Sequence, residues 1–127
     1  MQRRRMGVMY VPAKVGRPDG RGKRVALRML VDTGAVYSVL PADVWCALRL
    51  RPVDRAEFTL ADGSLISRGV SEARFGIQGK AATSPVVLGE ADEVPLLGAV
   101  TLETLGLMLD PLTREVRPMR LILSACS

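Results

Sequence analysis

Histidine is absent from all 127 residues, and that gap removes much of the usual hydrolytic apparatus. Without imidazole there is no Ser-His or Cys-His pair and no His-bearing metal site. Cysteine is scarce: Cys46 and Cys126 stand far apart, and two thiols cannot complete a four-ligand zinc site within one chain. With no secretory context they read as free thiols, Cys46 in the core and Cys126 near a loose end. Aromatics supply 4% of the chain, so Leu, Val, Ala and Met must fill the interior. No apolar run approaches the ~18 residues that span a bilayer. The arginine-bearing start is not followed by the apolar segment of a cleaved leader. A cytoplasmic chain with no membrane partner is the expectation. What remains for chemistry is carboxylates, hydroxyls and lysine.

What is present suits one globular domain: 48% hydrophobic, 24% charged, and a mean hydropathy of +0.19. The net charge of +5 is unevenly placed, because residues 1–28 hold nine basic residues and one acid. Such a start can mean nucleic-acid contact. It lacks interleaved aromatics, with only Tyr10, and shows no helix-turn-helix or zinc-finger spacing. A solvated basic segment is the simpler reading, and a nucleic-acid partner is not expected.

Short strands dominate the pattern. Residues 8–15 read as a first strand, pushed to an edge by Pro12. The glycine-rich stretch 16–24 reads as a loop. In residues 25–31 Val25, Leu27, Met29 and Val31 alternate with Ala26, Arg28 and Leu30. After Val36–Leu40, Pro41 opens a helix of about two turns containing Trp45, which is expected to pack in the core. Asp62-Gly63 predicts a hairpin between strands at 57–60 and 64–70, and Gln78-Gly79-Lys80 another between 73–77 and 81–88. A short buried strand at 94–97 ends at Gly98. Thr101 is placed to cap a brief helix stopped by Gly106, and residues 107–109 and 115–117 pair last. The fold class is all-β, a compact closed barrel with one or two short helices.

The chemistry sits in Leu30-Val31-Asp32-Thr33-Gly34-Ala35. A carboxylate directly after an apolar strand lies at a strand end beside buried surface. Thr33 can hydrogen-bond to neighbouring backbone, Gly34 permits a tight turn and close approach of a ligand, and Ala35 keeps the wall low. Two such carboxylates facing each other at about 3 Å cannot both ionise, so the pair shares one proton. One then takes a proton from water while the other donates to the carbonyl under attack. No metal or cofactor is required.

Residues 31–41, VDTGAVYSVLP, resemble the active-site segment of retropepsin-like aspartic proteases, with Ser38 at the hydroxyl position that follows Asp-Thr-Gly-Ala. The resemblance extends in order over residues 25–118. It implies a flap hairpin at Ala61, Asp62, Gly63 and Ser64, and then Leu96, Leu97 and Gly98 leading into a short helix. It implies an acid-protease half with Asp32 catalytic, Thr33 locking two active loops together, and Gly34 contacting substrate backbone. One Asp-Thr-Gly occurs in the chain, so one copy supplies half a dyad. The implied partners are a second copy of the chain, as a homodimer, and an extended peptide or protein substrate. Residues 1–24 form a basic strand and loop in this division, 25–118 the protease domain, and 119–127 a tail for the dimer interface or the chain's own core, all within one structural domain. A catalytically idle, dimeric peptide-binding relative and a nucleic-acid-binding module using residues 1–28 are the competing readings.

Overall fold

A computed structural model describes residues 8–120. Nine strands and two short helices follow one another: β1 (Tyr10–Gly16), β2 (Val25–Val31), β3 (Ser38–Leu40), α1 (Ala42–Ala47), β4 (Asp54–Thr59), β5 (Leu65–Ile77), β6 (Lys80–Leu88), β7 (Leu96–Leu97), α2 (Ala99–Thr104), β8 (Leu107–Asp110) and β9 (Glu115–Pro118). Seven strands form one sheet in the order β1-β2-β7-β3-β6-β5-β4, and a further β1–β5 pairing closes six of them into a ring. The all-β expectation holds. No helix among the described residues is long and apolar enough to cross a membrane.

Alternation along each strand decides what the ring encloses. Val11, Ala13 and Val15 of β1, Met29 and Val31 of β2, and Ala73, Phe75 and Ile77 of β5 are buried, two residues apart as a pleated strand requires. Phe75 is completely enclosed, so Phe75→Ala would cost about 3–5 kcal/mol. Leu102 and Leu105 close one side of this core from α2 and its end.

Several elements depart from the sequence reading. β1 is not a free edge: Lys14–Gly16 pair with residues 74–76 of β5. Pro12 is tolerated because that pairing begins two residues beyond it, and β1 bonds only β2 there. The two strands expected at 64–70 and 73–77 are one thirteen-residue strand, with buried Ser71 continuing the inward face. The strand expected at 94–97 is Leu96–Leu97 alone. Helix α2 starts at Ala99 behind Gly98, so Thr101 is a buried interior residue and not a cap. Cys46, expected in the core, is exposed. Val44 and Leu48, four residues apart, take the inward positions of α1 and its end, and Cys46 between them turns outward. Trp45 is partly buried against the core, and its indole N–H donates to the Gly89 carbonyl at 2.8 Å. The expectations for Cys126 and for most of the tail lie outside the described residues.

Candidate active site

Strand β2 delivers the chain to Asp32 with its end already fixed. The Leu30 amide donates to the Pro95 carbonyl and the Asp32 amide to the Leu97 carbonyl, at 2.9 and 3.0 Å. These bonds make β7 a parallel neighbour of β2, with Leu30 opposite Leu96 and Val31 opposite Leu97. The chain then turns within four residues, the Ala35 amide returning to the Asp32 carbonyl at 3.1 Å. Asp32 Oδ1 accepts the Gly34 amide at 3.0 Å. A Cβ on residue 34 would lie 3.3 Å from that same oxygen, so a side chain there would crowd the carboxylate. Asp32, Thr33 and Gly34 are all exposed on the single chain.

The outgoing limb is held as firmly. Ala99 and Val100, the first residues of α2, donate their amides to the Ala35 and Val36 carbonyls at 2.8 and 3.0 Å. The first amides of a helix have no partner within it, and here the Asp32 loop supplies their acceptors. Gly98 makes this contact possible. A Cβ there would sit 2.6 Å from the Tyr37 carbonyl carbon and 2.9 Å from the Val36 oxygen. Backbone cannot yield as a flexible side chain does, so only glycine fits.

Beneath the loop lies a buried chain of hydroxyls. The Gly98 amide donates to Ser38 Oγ at 2.9 Å. Ser38 Oγ is 2.6 Å from Thr101 Oγ1, which is 2.8 Å from Ser84 Oγ, and Ser84 donates to the Pro85 carbonyl at 3.3 Å. One consistent proton order runs from Gly98 through Ser38, Thr101 and Ser84 to Pro85, and it satisfies every member. Ser38, Ser84 and Thr101 are essentially inaccessible, so each bond is shielded from competing water.

The structure therefore gathers Asp32, Thr33, Gly34, Ala35 and Ser38 with Leu96, Leu97 and Gly98. Ala61, Asp62, Gly63 and Ser64 stand apart. They form the exposed tip of a ribbon made by β4 and the first half of β5, where Asp54–Thr59 pair with Leu65–Val70. At the tip the Gly63 amide donates to the Leu60 carbonyl and the Leu60 amide to the Ser64 carbonyl. Gly63 takes a left-handed φ of 87°, the usual geometry of a type I turn closed by a left-handed glycine. Asp62 Oδ1 accepts both the hydroxyl and the amide of Ser64, at 2.6 and 2.9 Å. The Ser64 hydroxyl first, then its amide, hold the Asp62 carboxyl below the ordinary carboxylate range. Among the described residues no hydrogen bond joins this tip to the Asp32 loop.

Sequence reasoning missed two contributors. Thr101 looked like a helix cap, and its place on the inward face of a helix starting just after Gly98 was the available signal. Arg68, on the ribbon, reaches toward the loop before β7: its Nη2 lies 3.5 Å from Glu93 Oε1 and 3.8 Å from Glu90 Oε2. Its Nε is buried and has no hydrogen-bond partner among the described residues. No sequence pattern marks that contact, because the partners are more than twenty residues away.

Comparison with known proteins bears on this geometry. The aspartyl protease family matches residues 11–99, which hold the Asp32 loop, the ribbon and the Leu96-Leu97-Gly98 support. No match is found among the curated proteins. Among solved structures, EIAV protease complexed with the inhibitor HBY-793 superposes with a TM-score of 0.62 at 17% identity, covering 97% of this chain and all of that one. The solution structure of simian foamy virus (mac) protease gives a TM-score of 0.54 at 19% identity, covering 75% of this chain and 92% of that one. Such likenesses establish the retroviral protease fold, and the match over residues 11–99 establishes the family: the chain belongs to the aspartyl protease family, with a retropepsin-like fold.

Proposed function

We propose that the chain is an aspartic endopeptidase that works as a homodimer, with Asp32 from each copy forming one dyad on the two-fold axis. The observation that supports this best is an exposed carboxylate on a turn tied to β7 and α2 on both sides of the aspartate. A fixed acid group left open on a single chain suits a partner that brings a second one. With the two carboxyls about 3 Å apart, one proton is shared between them. The ionised member takes a proton from water, whose oxygen attacks the peptide carbonyl carbon. The protonated member donates to the carbonyl oxygen. Collapse of the tetrahedral species breaks the C–N bond, and a proton passes to the leaving nitrogen. Thr33 joins the two loops, Gly34 admits substrate backbone, and the ribbon tips at residues 61–64 cover an extended peptide. Exposed, free Cys46 fits a reducing, cytoplasmic setting.

The test compares the wild type with Asp32→Asn on a peptide library from about pH 3 to about pH 8, with and without a pepstatin-type inhibitor. Sedimentation reports the assembly. Loss of the carboxyl is expected to lower cleavage by about a thousandfold or more while the dimer persists. A stable dimer of the wild type that cleaves nothing over that range would replace the enzyme with a peptide-binding module.

A further inference from the structure

A concavity of the chain lies apart from Asp32. A groove of about 650 Å³ lies across β1, β2 and the β5–β6 turn, lined by Lys14, Arg24, Arg28 and Lys80 and by no acidic residue. A second groove shares Lys14 and Arg24 with it and adds Arg17, Arg21 and Arg74, again without an acid. Together they make a continuous positive stripe at the start of β2. Asp32 follows the other end of that strand, about 25 Å away at the rise of an extended chain.

Two of these cations are placed by packing. The Arg24 stem crosses the bare backbone of Gly16, where a Cβ would lie 2.9 Å from Arg24 Cγ. The Arg28 guanidinium sits over the Tyr10 ring, 5.1 Å from its centre. Among the described residues no ion pair engages Lys14, Arg24, Arg28 or Lys80, although Arg17 of the second groove pairs with Asp19 and ion pairs form elsewhere at Arg68 and Arg117. The groove floor is apolar, with Pro12, Ala26, Leu27 and Ala81. Tyr10 is already covered by Arg28 and Phe75 is fully buried, so no free ring face is offered for base stacking.

We infer that this groove docks an acidic peptide segment carrying apolar side chains. Carboxylates complement the rim, and the floor accepts aliphatic groups, which a sugar-phosphate backbone does not offer. Arg supplies planar forks that match carboxylates. In a peptidase the groove becomes an exosite that recruits substrates through an acidic stretch remote from the scissile bond. That role rests on the proposed activity, whereas the binding itself does not.

The experiment uses full-length Asp32→Asn, so cleavage plays no part. A fluorescent peptide alternating Glu and Leu is titrated by anisotropy beside its Gln-for-Glu version and a single-stranded oligonucleotide of equal charge. The Glu peptide is expected to bind best, to weaken as salt rises from about 0.1 M to about 1 M, and to lose at least about tenfold in affinity with Arg24→Gln/Lys80→Gln. Both residues are exposed, and circular dichroism checks that the double variant is folded. Equal affinity for the Gln peptide, no change in the folded double variant, or an oligonucleotide binding as tightly would overturn the inference. A peptide that binds to a chain whose wild type cleaves nothing would uphold the groove and reject only the enzyme.

Discussion

The Asp32 loop and the ribbon tip are built from the same local device. In each, an aspartate Oδ1 accepts the amide two residues on: Gly34 at 3.0 Å in one, Ser64 at 2.9 Å in the other. The surroundings of the two turns differ sharply. The Asp32 loop is bonded through its backbone to Leu97, Ala99 and Val100 and rests on a buried hydroxyl chain. Toward its tip the ribbon's backbone is bonded only across its own two strands, and the tip is exposed on all four residues from 61 to 64. Rigidity in these turns comes from what lies behind them. The Asp32 turn is anchored by neighbouring elements, whereas the ribbon tip is held by its own turn.

The contrast can be broken most severely at Gly98. Gly98→Ala drives a methyl into the Tyr37 and Val36 carbonyl groups and should cost about 3 kcal/mol or more. In denaturant melts Gly63→Ala should cost clearly less, because nothing lies within 4 Å of its added carbon and only the φ of 87° is strained. Equal losses would erase the distinction between the two turns. Thr101→Val comes next. It removes the hydroxyl between Ser38 and Ser84 and leaves them short of a partner, at a cost of about 2 kcal/mol. Faster amide exchange at Asp32 and Gly98 should accompany it, with the ribbon unchanged.

Arg68→Met should have a smaller effect on stability, under about 1 kcal/mol, since both carboxylates it meets are partly exposed and more than 3.4 Å away. Its signature is local: exchange of the β4–β5 amides rises while the Asp32 loop keeps its protection. A ribbon as protected as before would show that Arg68 does not tether it. The smallest effect belongs to pH at the tip. Asp62 has a depressed pKa in the folded chain, so its contribution is present above the ordinary aspartate range and is lost as pH falls through the lower folded value. The Ser64 amide resonance should titrate with a midpoint below that range. A midpoint at or above it would contradict the Ser64 bonds.

Much of this contrast was legible in the amino-acid order. Alternation set the buried face of β2, and Asp-Gly and Gln-Gly-Lys located both hairpins. Gln78 and Gly79 both adopt the positive φ such a two-residue turn demands, 54° and 78°. Asp32 was named from its setting at the end of an apolar strand, Ser38 and Gly98 from the resemblance to retropepsin-like proteases, and the Gly98 amide does bond Ser38 Oγ. What stayed hidden was non-local. The β1–β5 closure depends on strands about sixty residues apart. Ser71-Glu72 looked like a break because polar residues interrupt an apolar run, yet Ser71 is buried and β5 passes straight through. Thr101 was misread for a related reason, since a hydroxyl that satisfies a buried network has the same sequence signature as one that caps a helix.

Strand β7 has only two residues, and both are committed. Leu96 faces Leu30 on one side and Val39 on the other, while the carbonyl of buried Leu97 takes the Asp32 amide. With a side-chain period of two, adding or deleting a single residue here would turn Leu97 outward and move Gly98 away from Tyr37. The exposed ribbon tip should accept added residues at less cost. The stretch from 96 to 100 must keep its count, and its spacing should outlast the identity of nearly every residue around it.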